Sequence, residues 1–425
     1  MARPHARRPV KAAPTERRHR MTQLDGRSPA AARVVPRETQ EITKFTDTRE
    51  VLANARRDIS RYGLDDYFIV DVDAHHVESE SWTEVIEYID NPVIRYNARQ
   101  SAANQSPKVA MTHSTPGLNW QDAMGRIPHQ SGLKEEVDDA SVHRDVTLVR
   151  RAMDSMGIDV QVVFPQLLLQ IGNHPYPDVA QELLHAYTTW MVETILPGDD
   201  RIKAFVALPF EDPAASLRTV EEFADAPGVL GFMVTSQRHA GVYRSAYFPL
   251  YRELERRGMP LAFHAGPRRN DTWSSTMNRF LSVHALSFVT CNMAHLTNWV
   301  INGIPERFPG LKVIWVESGL AWVPFMMQRL DHSYLMRQSE APLLRKLPSD
   351  YIRDMYFTAQ PMEADDLTLL ESTFRAMDAE NQLLYSSDWP HWDFDTPGRI
   401  AGLPFLTETA RRNILGENAR KLFGL

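Results

Sequence analysis

The stretch Asp71-Val-Asp-Ala-His-His-Val-Glu78 gathers carboxylates and imidazoles directly after the apolar run Tyr67-Phe-Ile-Val70. Side chains alternate faces along a strand, so Asp71, Asp73 and His75 project together while Phe68, Val70 and Val72 project the other way. A carboxylate and an imidazole sharing a face, Asp73 and His75, can hold a divalent cation of the zinc, manganese or iron kind. The bland alternative is a strand end running into a polar turn. With a cation and an open coordination position, the pKa of bound water falls to about 7 and hydroxide becomes available at neutral pH. The same cation could instead chelate a substrate carboxylate and an adjacent hydroxyl while a carboxylic acid delivers a proton to carbon and CO2 leaves. Residue types alone do not separate the two chemistries.

The elements that must position these groups follow from periodicity. A helix is expected over 43–62 and the first strand over 67–72. From 78 to 144 the pattern is irregular, broken by Pro92, Pro107, Pro116 and Pro128, and reads as a lid or wall of a site. After it the chain alternates. Strands are expected over 160–164, 202–208, 229–234, 260–263, 311–316, 355–358 and 383–385, separated by helices over 178–195, 214–224, 248–257, 281–304, 323–336 and 364–376. A helix over 146–156 precedes this series, and 407–415 with a last turn over 418–423 closes the chain. Eight strand–helix units point to an α/β fold of the (β/α)8 TIM-like barrel type, with a long insertion after strand 1. A doubly wound dinucleotide fold is disfavoured, because no glycine-rich loop follows the first strand.

Composition bounds the rest. The 425 residues are 43% apolar and 24% charged with net charge −7, which argues against nucleic acid or a polybasic membrane role. No apolar run approaches the roughly 20 residues of a membrane span. A single cysteine, Cys291, excludes an internal disulfide framework and fits a cytoplasmic protein. Residues 1–42 read as a disordered basic extension or an upstream stretch with translation starting at Met21, in preference to an organelle transit peptide, and 43–425 as one barrel domain with 79–145 as insertion.

In such a barrel, side chains at the C-terminal strand ends converge on one site. Metal-competent residues stand at the ends of strands one (Asp73, His75), five (His264), six (Glu317) and eight (Asp388), each where an apolar run stops. His284, following strand five, is a further acid/base or substrate-contact candidate, and His391 a candidate for the mouth. His76 points away from Asp73 and His75 and reads as structural, while Glu78 could orient a ligand imidazole. Trp322, Trp389 and Trp392 could form an aromatic wall. Ser386 and Ser387 lack a base nearby in sequence, so a serine nucleophile has little support.

Six pieces carry a resemblance. They are Asp71-x-Asp-x-His-x-x-Glu78, Phe263-His-Ala-Gly266 and Gly303-Ile-Pro-Glu-Arg-Phe-Pro-Gly-Leu-Lys-Val313, then Glu317-Ser-Gly-Leu-Ala-Trp-Val-Pro-Phe325 with Arg329-Leu-Asp331, Ser387-Asp-Trp-Pro-His391, and Gly416-Glu-Asn-Ala-Arg-Lys-Leu-Phe423. Together they resemble the amidohydrolase superfamily, in its metal-dependent branch related to aminocarboxymuconate-semialdehyde decarboxylase. The resemblance implies one divalent metal held by Asp73, His75, His264 and Asp388, with Glu317 as an additional ligand or acid/base group. Zinc is the first expectation and iron or manganese the others. It also implies a small-molecule carboxylic acid, amide or ester substrate and a homo-oligomer, a dimer first. Two positions depart from the family pattern: Asp73 stands where His or Glu is commonest, and Glu317 where strand six often ends in His.

The expected activity is therefore hydrolysis of a C–N, C–O or thioester bond, or non-oxidative decarboxylation of an aromatic or enoic acid, with Asp388, Glu317 and His284 as catalytic groups. The competing class is a catalytically inactive barrel that binds small molecules or acts as a scaffold. A degraded site would have lost ligand types at the strand ends, and this one swaps ligand for ligand.

Overall fold

A computed structural model describes residues 48–104, 137, 139–235, 241–266, 276–277, 280–391 and 393–425. The expected extension 1–42 and about half of the 79–145 insertion (105–136 and 138) lie outside the described residues.

Most of the strands are short apolar runs rich in β-branched and aromatic residues, the types that pack on a pleated surface. They are β1 (Val70–His76), β2 (Val160–Pro165), β3 (Ile202–Ala207) and β4 (Val229–Val234), then β5 (Leu261–His264), β6 (Val313–Val316), β7 (Tyr356–Thr358) and β8 (Leu383–Leu384). They pair in parallel in sequence order from β1 to β8. The chain following β8 returns to β1: Val72 N donates to Tyr385 O (2.9 Å), Asp388 N to Asp73 O (2.7 Å) and His75 N to Trp389 O (2.6 Å). The eight-fold barrel expected from the alternation is thus what the chain forms, with helices between successive strands.

Helix ends carry the expected stop and start signals. Gly157 ends the helix Arg144–Met156 and Gly258 ends Phe248–Arg257, both in the left-handed region (φ 66° and 69°). Asp212 caps Pro213–Phe223 by accepting from Ala214 N and Ala215 N.

Three differences from expectation have physical causes. β1 does not stop at residue 72 but continues to His76, because its second half pairs with β2 (His75↔Phe164, His76↔Pro165). Tertiary pairing overrides the turn propensity of Asp and His there. The pairing also shifts register between Asp71 and Ala74, a bulge-like irregularity beside the metal-ligand types. The segment after β1 is not irregular throughout, since Glu78–Val85 and Pro92–Asn104 are helices. Third, the helix expected to reach residue 195 gives way after Trp190 to a π turn, Met191–Ile195, and the closing helix does the same at Asn413–Glu417.

That last turn holds the barrel seam. Ile414 O accepts from Tyr385 N (2.9 Å), and the fully packed Gly416 lies against the Phe68 carbonyl. A methyl group at Gly416 would be driven into that backbone oxygen, which cannot move aside as a side chain could. Gly416→Ala should therefore lower unfolding free energy by at least about 2 kcal/mol in chemical denaturation, at the upper end of overpacking costs. A change below about 0.5 kcal/mol would mean that the seam is slack.

Candidate metal centre

The strand ends deliver five side chains to one buried cluster. β1 supplies Asp73 and His75, β5 supplies His264, and the residues directly after β6 and near β8 supply Glu317 and Asp388. His264 Nε2 stands 3.3 Å from Asp73 Oδ1 and 3.5 Å from Glu317 Oε2. His75 Nε2 stands 3.1 Å from Asp388 Oδ1, 3.6 Å from Asp73 Oδ1 and 3.8 Å from Glu317 Oε2. Such spacings are those of groups converging on a common point. Two overlapping sets of donors result, Asp73–His75–His264–Glu317 and His75–Glu317–Asp388–His391, each with its ligand atoms within 4.8 Å of one another.

Local structure fixes these donors. Glu317 and Asp388 both adopt left-handed backbone (φ 48° and 60°), which a non-glycine residue keeps only when its surroundings hold it there. Glu317 N donates to Thr358 Oγ1 on β7 (3.0 Å), and Asp388 N to Asp73 O (2.7 Å). The His264 ring has Nδ1 at 3.1 Å from Ala265 O, so Nδ1 carries the proton and Nε2 offers its lone pair to the cluster. One layer down, Asp71 accepts from Gln161 Nε2 (2.8 Å), Ser387 Oγ (2.5 Å), Ser387 N (2.8 Å) and Asp73 N (3.2 Å). Asp71 therefore faces inward as its strand parity requires, but ties β8 to β1 instead of joining the donors.

The electrostatics are those of crowded anions. Burial, then Asp388, Asp73 and Asp393, push the Glu317 carboxyl well above the usual range. Burial likewise pushes Asp388 well above it, against the opposing pull of His264 and His284. Asp71 is raised by burial to about 7 despite its four hydrogen bonds. Both oxygens of Asp73 and Asp388, Glu317 Oε2 and His264 Nε2 are buried without a hydrogen bond. Buried polar atoms ordinarily find partners. A convergent group of orphaned oxygens and imidazole nitrogens fits a divalent cation, whose charge would relieve the repulsion.

Of the other candidates, His391 belongs to the site more than the sequence suggested. Its ring stacks on His75 (centroids 4.3 Å apart, 17° between planes), with Nδ1 at 2.7 Å from Asp388 Oδ1 and Nε2 at 2.5 Å from Gln166 Oε1. The Asp388 contact is close without hydrogen-bond alignment. The only sequence signal was its place three residues after Asp388. His284 stands outside the cluster, its Nε2 3.6 Å from Asp393 Oδ2. Glu78 orients no imidazole; its carboxylate accepts from Leu167 N and Leu168 N beyond β2. His76 turns away, as expected, to Asp145 Oδ2 (3.0 Å) and Tyr187 Oη (3.1 Å). Ser386 Oγ accepts from Gln360 N, and Ser387 is spent on Asp71. Trp322 and Trp389 are buried, packing on Phe357 and Phe394, and Trp392 lies outside the described residues.

Known proteins resemble this chain in sequence and in fold. The family model described as Amidohydrolase matches residues 147–425. The gamma-resorcylate decarboxylase of Polaromonas sp. (strain JS666 / ATCC BAA-500) is 23% identical over 58% of this chain and 77% of its own length. The 2-amino-3-carboxymuconate-6-semialdehyde decarboxylase of Dictyostelium discoideum is 20% identical over 68% of this chain and 79% of its own. Among solved structures, a dihydroxybenzoic acid decarboxylase from Polaromonas sp. JS666, with bound manganese and the inhibitor 2-nitroresorcinol, aligns with TM-score 0.57 and 19% identity. It covers 84% of this chain and 97% of that one, a likeness of fold. Among the described residues no helix is long and apolar enough to cross a membrane.

Crowding predicts how the metal-free protein responds to pH. A carboxyl whose folded pKa lies above its unfolded value binds more protons when folded, so its contribution is most favourable below the unfolded value and is lost as pH rises through the folded one. Glu317, Asp388 and Asp71 all shift in that direction. Chelator-treated protein should therefore lose thermal stability as pH rises from about 4 through about 7 and beyond. Divalent cation at about 100 times its Kd should restore roughly 2.7 kcal/mol at neutral pH. Calorimetry with and without chelator checks both. A metal-free protein that gains stability over that pH range would contradict the crowding.

Proposed function

Since the chain belongs to the amidohydrolase family, we propose that it is a metal-dependent carboxy-lyase removing CO2 from a hydroxy-substituted aromatic or closely related enoic acid. The observation that carries this reading is the pair of overlapping donor sets. Asp73, His75, His264 and Glu317 form one, and Asp388 and His391 join His75 and Glu317 in the other. That leaves Asp388 and His391 as the groups outside the first set. A cage that binds the substrate's anionic end beside a buried carboxylic acid is what protonation at carbon requires. Both curated relatives described above are decarboxylases, which supports the same choice.

The donor set contains nitrogen and oxygen only. Manganese suits such donors and can take substrate oxygens besides four protein ligands, whereas catalytic zinc usually has three protein ligands and one open position. The manganese in the neighbouring structure supports that preference over zinc. When bound, the cation would act as a Lewis acid on the substrate carboxylate and its neighbouring hydroxyl.

The chain's own residues supply the proton. Asp388, whose carboxyl burial pushes up in the metal-free chain, is the group placed to donate to the carbon that bears the carboxylate. The C–C bond then breaks, its electron pair restores the ring double bond, and CO2 leaves. Burial and the neighbouring His75 hold the His391 imidazole well below its usual range. With Nε2 facing Gln166 Oε1 the ring stands neutral, with Nδ1 beside Asp388 (2.7 Å), and the spent carboxylate takes its new proton from solvent. The dry surroundings favour the step, since the anionic substrate gives way to neutral CO2. The scaffold alternative leaves the orphaned carboxylates without a purpose, because a binding barrel gains nothing from burying them unpaired.

Manganese-loaded protein incubated with 2,6-dihydroxybenzoate and related hydroxybenzoates should release CO2. In D2O the product should carry one deuterium at the carbon that lost the carboxylate, and in H2(18)O it should carry no label. Asp388→Asn should lower kcat by roughly 10²–10⁴ while the protein retains metal. Incorporation of 18O from water into product from an amide, ester or thioester would favour hydrolysis and overturn the proposal.

A further inference from the structure

We infer that Asn292 is a positioning residue that sets the spacing of His264 and Glu317. The inference rests on the metal reading of the cluster and not on the choice of decarboxylation over hydrolysis.

Asn292 lies on the helix Phe280–Ile301, whose 22 residues include no Asp, Glu, Lys or Arg. Apolar residues of this helix, among them Leu296, Trp299 and Val300, join the core around β5 and β6. Within that face Asn292 is completely buried. Its Nδ2 stands 3.4 Å from Phe263 O, 3.1 Å from Val316 O and 2.9 Å from Ser318 Oγ. Phe263 directly precedes His264, Val316 directly precedes Glu317, and Ser318 directly follows it. With its two N–H bonds shared among these acceptors, one amide nitrogen ties the Val316 carbonyl before Glu317 and the Ser318 hydroxyl after it to the backbone just before His264.

The chemistry of the contact fixes its orientation. Carbonyl oxygens only accept, so the nitrogen and not the oxygen of the side-chain amide must face them. The other end, Oδ1, is buried without a partner, a cost that a purely structural asparagine would avoid. The location also matters. The β5–β6 ladder ends with His264 opposite Val316, so beyond that pair the two strands have no further backbone pairing. Asn292 bridges them at that point, while Glu317 is held in left-handed backbone and its Oε2 lies 3.5 Å from His264 Nε2. Removing the bridge frees the two ligands to separate, which costs metal affinity because a rigid cage becomes a flexible one.

A second buried asparagine provides a matched control. Asn418 Nδ2 donates to Glu380 O (3.0 Å) and Leu383 O (2.9 Å), at the N-terminal end of β8 and away from the donors. The test uses full-length protein stripped of metal. Manganese affinity is measured by chelator competition, the electron paramagnetic resonance spectrum of the bound ion is recorded, and thermal midpoints are taken in parallel. Asn292→Leu and the isosteric Asn292→Asp, which turns a carboxylate onto two carbonyls, should each weaken manganese roughly 10–100-fold and alter the spectrum. Asn418→Leu should lower the thermal midpoint and bind manganese like the unaltered protein. Asn292 variants that bind within two-fold of the unaltered protein, or an Asn418→Leu variant with an equal loss, would overturn the inference. If Asn292→Leu does not fold, Asn292→Asp alone decides. Unaltered protein that binds no manganese would bring down the metal reading itself.

Discussion

Three carboxylates, Asp73, Glu317 and Asp388, are buried beside two imidazoles with almost no N–H donors to satisfy them. In a low-dielectric interior like charges at this range cannot all remain ionised, and an uncompensated buried carboxylate is among the most unfavourable features a fold can carry. The cluster is tolerable in two ways. Either protons neutralise part of it, as the raised carboxyls of Glu317 and Asp388 indicate for the metal-free chain, or a cation joins it. The rest of the architecture makes sense as the apparatus that forces these groups together.

That apparatus is layered. The parallel barrel brings the strand ends into one ring, and the segment after β8 closes onto β1 through backbone hydrogen bonds at Asp73 and His75 themselves. Beneath, Asp71 uses all four of its hydrogen bonds to bind Gln161, Ser387 and the Asp73 amide, so the residues flanking Asp388 cannot drift from β1. Outside, Asn292 ties β5 to β6. At the rim, Gln166 holds His391 flat on His75. Farther back, His76, Asp145, Ser81 and Tyr187 form a closed buried network that pins the chain leaving β1. Hydrogen bonds from His76 and Ser81 more than offset burial there, holding the Asp145 carboxyl well below its usual range. The contrast is informative: the His76–Asp145 network is hydrogen-bonded, whereas oxygens of Asp73, Glu317 and Asp388 are left open.

The barrel and the donors at its strand ends were legible in sequence for a single reason. A parallel strand buried on both faces reads as an uninterrupted apolar run, so a polar residue that ends the run is conspicuous. Asp73, His75, His264, Glu317 and Asp388 all announced themselves that way. His391 did not, because its role depends on how the chain turns after Asp388 and on Gln166, 225 residues earlier. Glu78 was misread for the matching reason: a carboxylate close in sequence to ligands looks like their support, yet the nearest unsatisfied N–H groups were those of Leu167 and Leu168 after β2. Asn292 could not be assigned a role from sequence. An asparagine in an apolar helix is visible in sequence, but its partners are backbone carbonyls of two distant strands. The helices after β1 were missed because prolines within and around them break the periodicity on which such readings depend.

The central claim is that these buried donors exist to hold one cation. Anomalous diffraction at the manganese edge, from crystals of the manganese-loaded protein, tests it most directly. The account predicts a single strong peak enclosed by Asp73, His75, His264 and Glu317, at about 2.0–2.4 Å from their donor atoms, with Asp388 and His391 on its open side. A map with no peak there, or with manganese bound only elsewhere on the molecule, would contradict it.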